Sequence, residues 1–322
     1  MKIVIIGPGA MGCLYAFLLT RSGHEVWLLD YRHDRADFIK SQGLKIEGVS
    51  GNYQIPFERI CTEASVIGKA DIIIVFVKAY ATEAAIKRAA DTIKSTTIIL
   101  TLQNGIGNIE RIGDLCPDAH CLAGTTSQGA TLLAPGHIRH AGIGETIIGA
   151  AAGSGKFHTE LIRDLFMSAL IPVQIAEDVT SLLWGKLLIN CGINPITAIM
   201  KITNGQVIEF PNLLAVMRRA VDEIAQIANK LGVEIPYQDP AQKVIEVCKA
   251  TAENRSSMLQ DIEAGKKTEI DYMNGAVVRH GQQLEMDTPL NSFLTDMVSA
   301  LEKLNMLGKS GFECHREDAS KL

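Results

Sequence analysis

The chain is 322 residues long, enough for two domains that each bury a core. With 47% hydrophobic, 21% charged and 5% aromatic residues it has the composition of an ordinary globular protein. A formal charge of -5 gives no general attraction to nucleic acid or to an anionic membrane, which excludes partners that need one and leaves a small-molecule substrate as the expectation. The first residues, MKIVIIGPGAMGCLYAFLL, have the look of a signal peptide, but Gly7, Pro8 and Gly9 interrupt the apolar run. No segment is expected to reach the roughly 18 to 20 apolar residues that span a bilayer.

Lys2 to Ile6 is a short β-branched run, Gly7 to Gly12 reads G-P-G-A-M-G, and Ala10 to Arg21 is apolar and helix-forming. Strand, glycine turn and helix are the context in which G-x-G-x-x-G signifies dinucleotide binding. Gly7 permits the tight turn, Gly9 lets the backbone approach a pyrophosphate, and Gly12 lets helix and strand pack closely. The helix start then offers N–H groups to phosphate. A purely structural glycine turn is the competing account.

The second strand, Glu25 to Leu29, ends at Asp30, the usual place for an acid that bonds the ribose hydroxyls of NAD. Arg32 and Arg35 follow at once and suit the additional phosphate of NADP equally well, so the residues leave the cofactor open. Gly43 to Ile60 alternates about Ser50-Gly51-Asn52 like an inserted hairpin. Asp71 to Val77 and Thr97 to Leu102 are strands of the kind buried on both faces of a parallel sheet. Lys78 and Gln103-Asn104-Gly105 stand at their ends, where ligand crevices form. For Lys78 the alternative is a solvated helix start; for Asn104-Gly105 it is a simple turn.

His120 to Leu133 and His137 to Ile148 read as two further strands about Pro135-Gly136. His137 and His140, three apart on a strand, point to opposite faces and do not make a metal pair. The seven cysteines, Cys13, Cys61, Cys116, Cys121, Cys191, Cys248 and Cys314, lack C-x-x-C spacing. No metal site is expected from them, and a reducing cytoplasm is the natural home. Phe157 to Leu170 reads as a helix and Val173 to Ala176 as a strand, which puts the domain boundary near residue 175, with domains 1–175 and 176–322.

From Asp178 on, helical periodicity dominates: Val179 to Met200, Leu213 to Leu231, Ala241 to Ala252 and Pro289 to Leu304. The fold expected is a Rossmann-type α/β dinucleotide-binding domain followed by an all-α helical domain, with the active site in the cleft between them. In WGKLLINCGINP, Lys186, Asn190 and Asn194 lie four apart and share one face of an otherwise apolar helix. Burying an ammonium and two amides costs several kcal/mol unless each finds a partner, and a ligand would supply them; water or backbone would serve as well. Asn254-Arg255-Ser256-Ser257 precedes a short helix and suits either a carboxylate or an N-cap. The tail from Gly308 is polar and expected to be loosely ordered.

Taken together, GPGAMG, Lys78, QNG at 103 to 105, GTTSQGA, KLLINCGINPITAI, NG at 204, ENRSSMLQDI and TEIDYMNG resemble the ketopantoate reductase family along nearly the whole chain and in the right order. The resemblance implies reduction of 2-dehydropantoate to pantoate with NADPH, on the route to pantothenate and coenzyme A. It further implies that Lys186 is the proton donor, that Asn190, Asn194, Asn204, Asn254 and Ser257 hold the substrate, and that Glu269 lies at the cofactor. Gly7, Pro8, Gly9, Ala10, Met11, Gly12, Lys78, Asn104 and Ala130 match further cofactor contacts. The family's usual Arg at the end of the second strand is displaced to Arg32, and Asp30 before it leaves NADH as the alternative. Competing readings are a related reductase or dehydrogenase of another 2-oxo or hydroxy acid and a catalytically silent nucleotide-binding sensor. Apolar helices in the second half are compatible with a homodimer.

Overall fold

The computed structural model describes residues 1–150 and 155–309, which divide into two compact units, Met1–Lys186 and Leu187–Leu322. The first unit opens with β1 (Lys2–Ile6), α1 (Ala10–Arg21), β2 (Glu25–Leu29) and α2 (His33–Gln42). The inserted hairpin is β3 (Leu44–Gly48) and β4 (Tyr53–Ile55), and β5 (Ile60–Cys61) returns the chain to the main sheet. Then come β6 (Ile72–Val75), α3 (Thr82–Arg88), β7 (Ile98–Thr101), α4 (Asn108–Leu115), β8 (His120–Thr126), β9 (Gly129–Ala134), β10 (His137–Gly142) and β11 (Thr146–Ala150). After them follow α5 (Lys156–Ser168) and β12 (Val173–Ile175).

Eight strands form the main sheet in the order β12-β11-β8-β7-β6-β1-β2-β5. From β5 to β8 every pairing is parallel. Strands covered on both faces need apolar residues at every position, and β6 and β7 are buried throughout. The pleat sends alternate residues to opposite cores. Ile3, Ile5, Ile72 and Ile74 pack with Leu14, Phe17 and Phe166, while Val4, Ile6, Ile73 and Val75 pack with Ile86, Ile109 and Ile112. β1 and β6 are adjacent, yet the chain leaves them in opposite directions across the sheet. That reversal of strand order is where such sheets bind ligands, beyond the carboxyl ends of the strands.

The two strands expected at His120 to Leu133 and His137 to Ile148 are each divided. β8 and β11 pair in the main sheet, whereas β9 and β10 join the hairpin in a four-stranded sheet ordered β4-β3-β10-β9. The breaks fall opposite one another and are bonded together: Ser127 N donates to Glu145 O, and Gln128 Nε2 donates to Gly144 O at 2.7 Å. Continuous apolar patterning cannot reveal a strand that changes sheets. His137 meets Glu47 on one face, while His140 is buried between Ser50 and Gln128 on the other.

The remaining elements are helical: α6 (Val179–Met200), α7 (Gln206–Glu209), α8 (Pro211–Lys230), α9 (Pro240–Ala250), α10 (Ser257–Glu263), α11 (Asn274–Gln283) and α12 (Pro289–Lys309). The division between the compact units falls inside α6, after Lys186. The physical reason is that Val179 and Leu183, in the first turns of α6, pack against the α/β core. Contrary to the expectation from sequence, α6 is long and apolar enough to cross a membrane by length and composition. With 67% of its most apolar window buried within the protein, it is used as a core helix. α12 runs on to Lys309, past the expected end, and the rest of the tail, with Cys314, lies outside the described residues.

Candidate active site

The glycine turn after β1 is built as its spacing demands. Gly7 has φ +98°, and a Cβ there would lie 2.8 Å from Val77 Cγ1, so the turn adjoins the segment leading to Lys78. A Cβ on Gly12 would lie 2.1 Å from Gly7 O, a contact no side chain tolerates. Gly9 is different: a Cβ there would meet nothing within 4 Å, so its backbone faces open space. Gly9 caps α1 without any side-chain hydrogen bond. The first-turn amides of Ala10, Met11 and Gly12 have no intrahelical acceptor, so they point their dipoles out of the helix start. Pro8 is buried, and its carbonyl accepts from Cys13 Sγ at 3.5 Å. Burial pushes that thiol up to about 12, so it stays a donor. Open space, unspent amides and a positive dipole fit the pyrophosphate of a dinucleotide.

At the end of β2 the acid and the arginines sort themselves. Asp30 has a fully buried side chain whose carboxylate takes both Nε and Nη2 of Arg35. It also accepts from Tyr31 N at 2.7 Å and Arg32 N at 3.3 Å. Arg35 and Asp30 therefore form a bidentate pair that occupies the carboxylate's acceptor sites. Arg32 is exposed and bonds Asp34, a surface pair worth little and easily exchanged for a ligand anion.

Lys78, half-buried, stands three residues past β6. Gln103 past β7 ties the two strand ends together, its Nε2 donating to Val77 O at 2.7 Å and Thr82 Oγ1 at 2.9 Å. Asn108 Nδ2 holds the Asn104 carbonyl at 3.0 Å. The positive φ values of this loop fall on Gly105 and Gly107, so Asn104 itself is not in the left-handed region. Ala130 lies on β9 opposite His140, half-buried, in the smaller sheet. Lys186 donates from Nζ to Thr126 O at 3.0 Å, at the end of β8. Thr126 is anchored in turn: its Oγ1 meets Tyr15 Oη at 3.2 Å and Thr146 Oγ1 at 3.1 Å, and Tyr15 belongs to the glycine-turn helix. A main-chain acceptor has no residue signature, so Thr126 escapes sequence reasoning.

In the helical unit several expected substrate residues lie on two short strings of hydrogen bonds. Thr197 Oγ1 donates to Asn194 O at 2.9 Å and lies 2.7 Å from Ser256 Oγ, from which it can accept. Ser256 caps α10 by accepting from Leu259 N, which leaves Ser257, the first helical residue, exposed. Asn254 is exposed too, and its carbonyl accepts from Asn204 N at 2.9 Å. Asn204 Nδ2 donates to Thr251 Oγ1 at 2.9 Å, while its buried Oδ1 has no partner among the described residues. A buried acceptor left unpaired is held at a cost of about 1–3 kcal/mol, which a ligand donor would recover. Asn190 is half-buried one turn before Asn194 on α6, and Glu269 is buried just before a 3-10 turn at Ile270–Tyr272. Thr197, which sequence reading does not reach, and Ser256, which takes the N-cap of its two expected roles, serve here as supports.

A helix start ready for phosphates at the reversal point of a parallel sheet is the arrangement of nicotinamide-dinucleotide oxidoreductases with a Rossmann-type unit. Residues 3–153 match the family model described as ketopantoate reductase PanE/ApbA, and residues 178–302 match that of its C-terminal domain. The chain belongs to the ketopantoate reductase family. It is 35% identical to the 2-dehydropantoate 2-reductase of Archaeoglobus fulgidus over 301 residues, covering 94% of this chain and 98% of the relative. Among solved structures, a PanE/ApbA family ketopantoate reductase from Ralstonia eutropha JMP134 superposes with a TM-score of 0.87 at 30% identity, covering 95% of this chain and 100% of that one. A D-mandelate dehydrogenase with NADH and anilino(oxo)acetate superposes with a TM-score of 0.88 at 27% identity, covering 95% and 100%.

Proposed function

We propose that this protein reduces 2-dehydropantoate to pantoate with NADPH, a step of pantothenate biosynthesis, in the cytoplasm, with Lys186 as the proton donor. The observation that carries this reading is the Lys186 ammonium held on the Thr126 carbonyl at the end of a sheet strand. When bound, NADPH supplies the hydride. As a ketone carbon gains that hydride its oxygen gains negative charge, and Lys186 stabilises the charge and gives the proton that makes the hydroxyl. Asn190, Asn194 and Asn204 orient the substrate with neutral donors and acceptors, Asn254 and Ser257 receive its carboxylate, and Glu269 with Lys78, Asn104 and Ala130 completes the cofactor site.

Support for NADPH over NADH comes from the end of β2. Asp30 spends its carboxylate on Arg35, so the acid that would receive ribose hydroxyls is already occupied. Arg32, exposed beside it and paired at the surface with Asp34, is the cation that would receive a 2'-phosphate. A second reading rests on the likeness to D-mandelate dehydrogenase: the same site turning over a different 2-oxo acid. The test follows NADPH and NADH oxidation by their ultraviolet absorbance with 2-dehydropantoate and a panel of other 2-oxo acids. Fast NADPH oxidation with 2-dehydropantoate is the expected result. A preference for NADH reverses the cofactor assignment, and turnover confined to another acid selects the second reading. Dinucleotide binding without any turnover leaves a nucleotide-binding sensor.

A further inference from the structure

Helix α6 contains Pro195. Proline has no N–H, so the carbonyl four residues earlier, that of Cys191, loses its helical donor, and the ring crowds the same carbonyl. Cys191 is fully buried, out of reach of the water that would otherwise fill the gap. A side chain replaces the missing donor: Asn274 Nδ2, at the start of α11, lies 3.3 Å from Cys191 O.

The orientation of Asn274 is forced by what stands behind it. Glu223 on α8 accepts from Leu290 N at 2.9 Å, from Asn291 N at 3.0 Å and from Asn291 Nδ2 at 2.7 Å. Asn291 Nδ2 also reaches Ala220 O at 3.0 Å. With its amino group committed, Asn291 turns Oδ1 toward Asn274, at 3.0 Å. Facing two acceptors, Asn274 can only present its amino group to both. Its own Oδ1 stays buried without a partner among the described residues.

We propose that Asn274 is a positioning residue for substrate binding. It supplies the hydrogen bond that Pro195 removes, and so fixes how the turn of α6 bearing Asn190 continues into the turn bearing Asn194. The relay from Glu223 through Asn291 braces that bond against the rest of the helical unit. This rests on the reading of Asn190 and Asn194 as ligands of the 2-oxo acid.

The test is a cycle of four proteins: wild type, Asn274→Ala, Pro195→Ala and the double variant. With 2-dehydropantoate as the oxo acid, each is read for the oxo-acid KM, the NADPH KM and the thermal midpoint. Asn274→Ala raises the oxo-acid KM roughly tenfold, about the effect of one buried hydrogen bond, and leaves the NADPH KM unchanged. In the Pro195→Ala background, where residue 195 regains its N–H, the same substitution changes the oxo-acid KM by less than about threefold. An equal change in both backgrounds overturns the proposal. If Asn274→Ala yields no folded protein, Asn274→Ser, which keeps one donor, runs through the same cycle under the same criterion. Asn190→Ala and Asn194→Ala separate the two levels. If neither moves the oxo-acid KM, the ligand reading fails and the proposal with it. If they do and Asn274→Ala does not, only the proposal fails.

Discussion

In the α/β unit the groups offered beyond β1, β2 and β6 are backbone amides and cations; in the helical unit they are side-chain amides and hydroxyls strung on hydrogen bonds. The first kind depends on the absence of atoms, since Gly7 and Gly12 have no room for a Cβ. The second depends on the presence of atoms, since each amide is held by a partner that must be there. One unit is therefore broken by adding a methyl group and the other by taking an amide away.

The largest effect is expected at the proposed proton donor. Lys186→Ala lowers kcat by about a hundred- to ten-thousandfold, while NADPH affinity, measured by fluorescence titration, stays as it was. Unchanged turnover would remove Lys186 from the mechanism. Next comes the glycine turn. Gly12→Ala forces a contact with Gly7 O and destabilises the protein by about 3 kcal/mol, with loss of NADPH binding. Gly9→Ala has space for its methyl in the free protein, so its thermal midpoint holds while its NADPH affinity falls. Equal midpoints for the two variants would end the distinction drawn between these glycines.

In the helical unit Asn204→Ala raises the oxo-acid KM about tenfold. It lowers stability by no more than about 1 kcal/mol, because the lost Nδ2 bond to Thr251 Oγ1 is offset by removal of a buried acceptor that is already unpaired. A large loss of stability with no change in KM would make Asn204 a structural residue. The smallest effect sets the α/β unit apart by pH. Burial pushes His140 below the ordinary histidine value of 6.5, against a smaller opposing hydrogen bond to the Gly142 backbone. The unfolded chain takes the proton first, so the stability His140 contributes is whole above pH 6.5 and is lost as pH falls through 6.5 toward the lower folded value. Thermal midpoints from about pH 7 to about pH 5 register the decline, and His140→Gln flattens it.

The glycine turn was legible because each of its glycines answers to a backbone demand that no other residue meets. Val179 to Met200 was legible because a long apolar period with a polar stripe has few alternatives. α11 was not marked as a helix: Gly275 and Gly281 weaken its propensity, and what holds it is the buried relay through Asn274. The Asp30–Arg35 pair was hidden for a related reason. Five residues apart, across the bend between β2 and α2, the two could each as well have faced a cofactor, and only the fold turns them toward one another. Main-chain partners such as Thr126 O and Cys191 O leave no trace in residue identity at all.

Helix α6 also bears on what happens while the chain is being made. Its 22 residues emerge from the ribosome as a segment apolar enough to be taken for a membrane anchor before the helices that cover it exist. Lys186, a third of the way along, counts about 2.5–3.5 kcal/mol against insertion near the middle of a bilayer, and Asn190 and Asn194 add to it. The polar side chains of α6 thus weigh against its insertion in a bilayer, and Lys186→Leu would remove the largest of those costs.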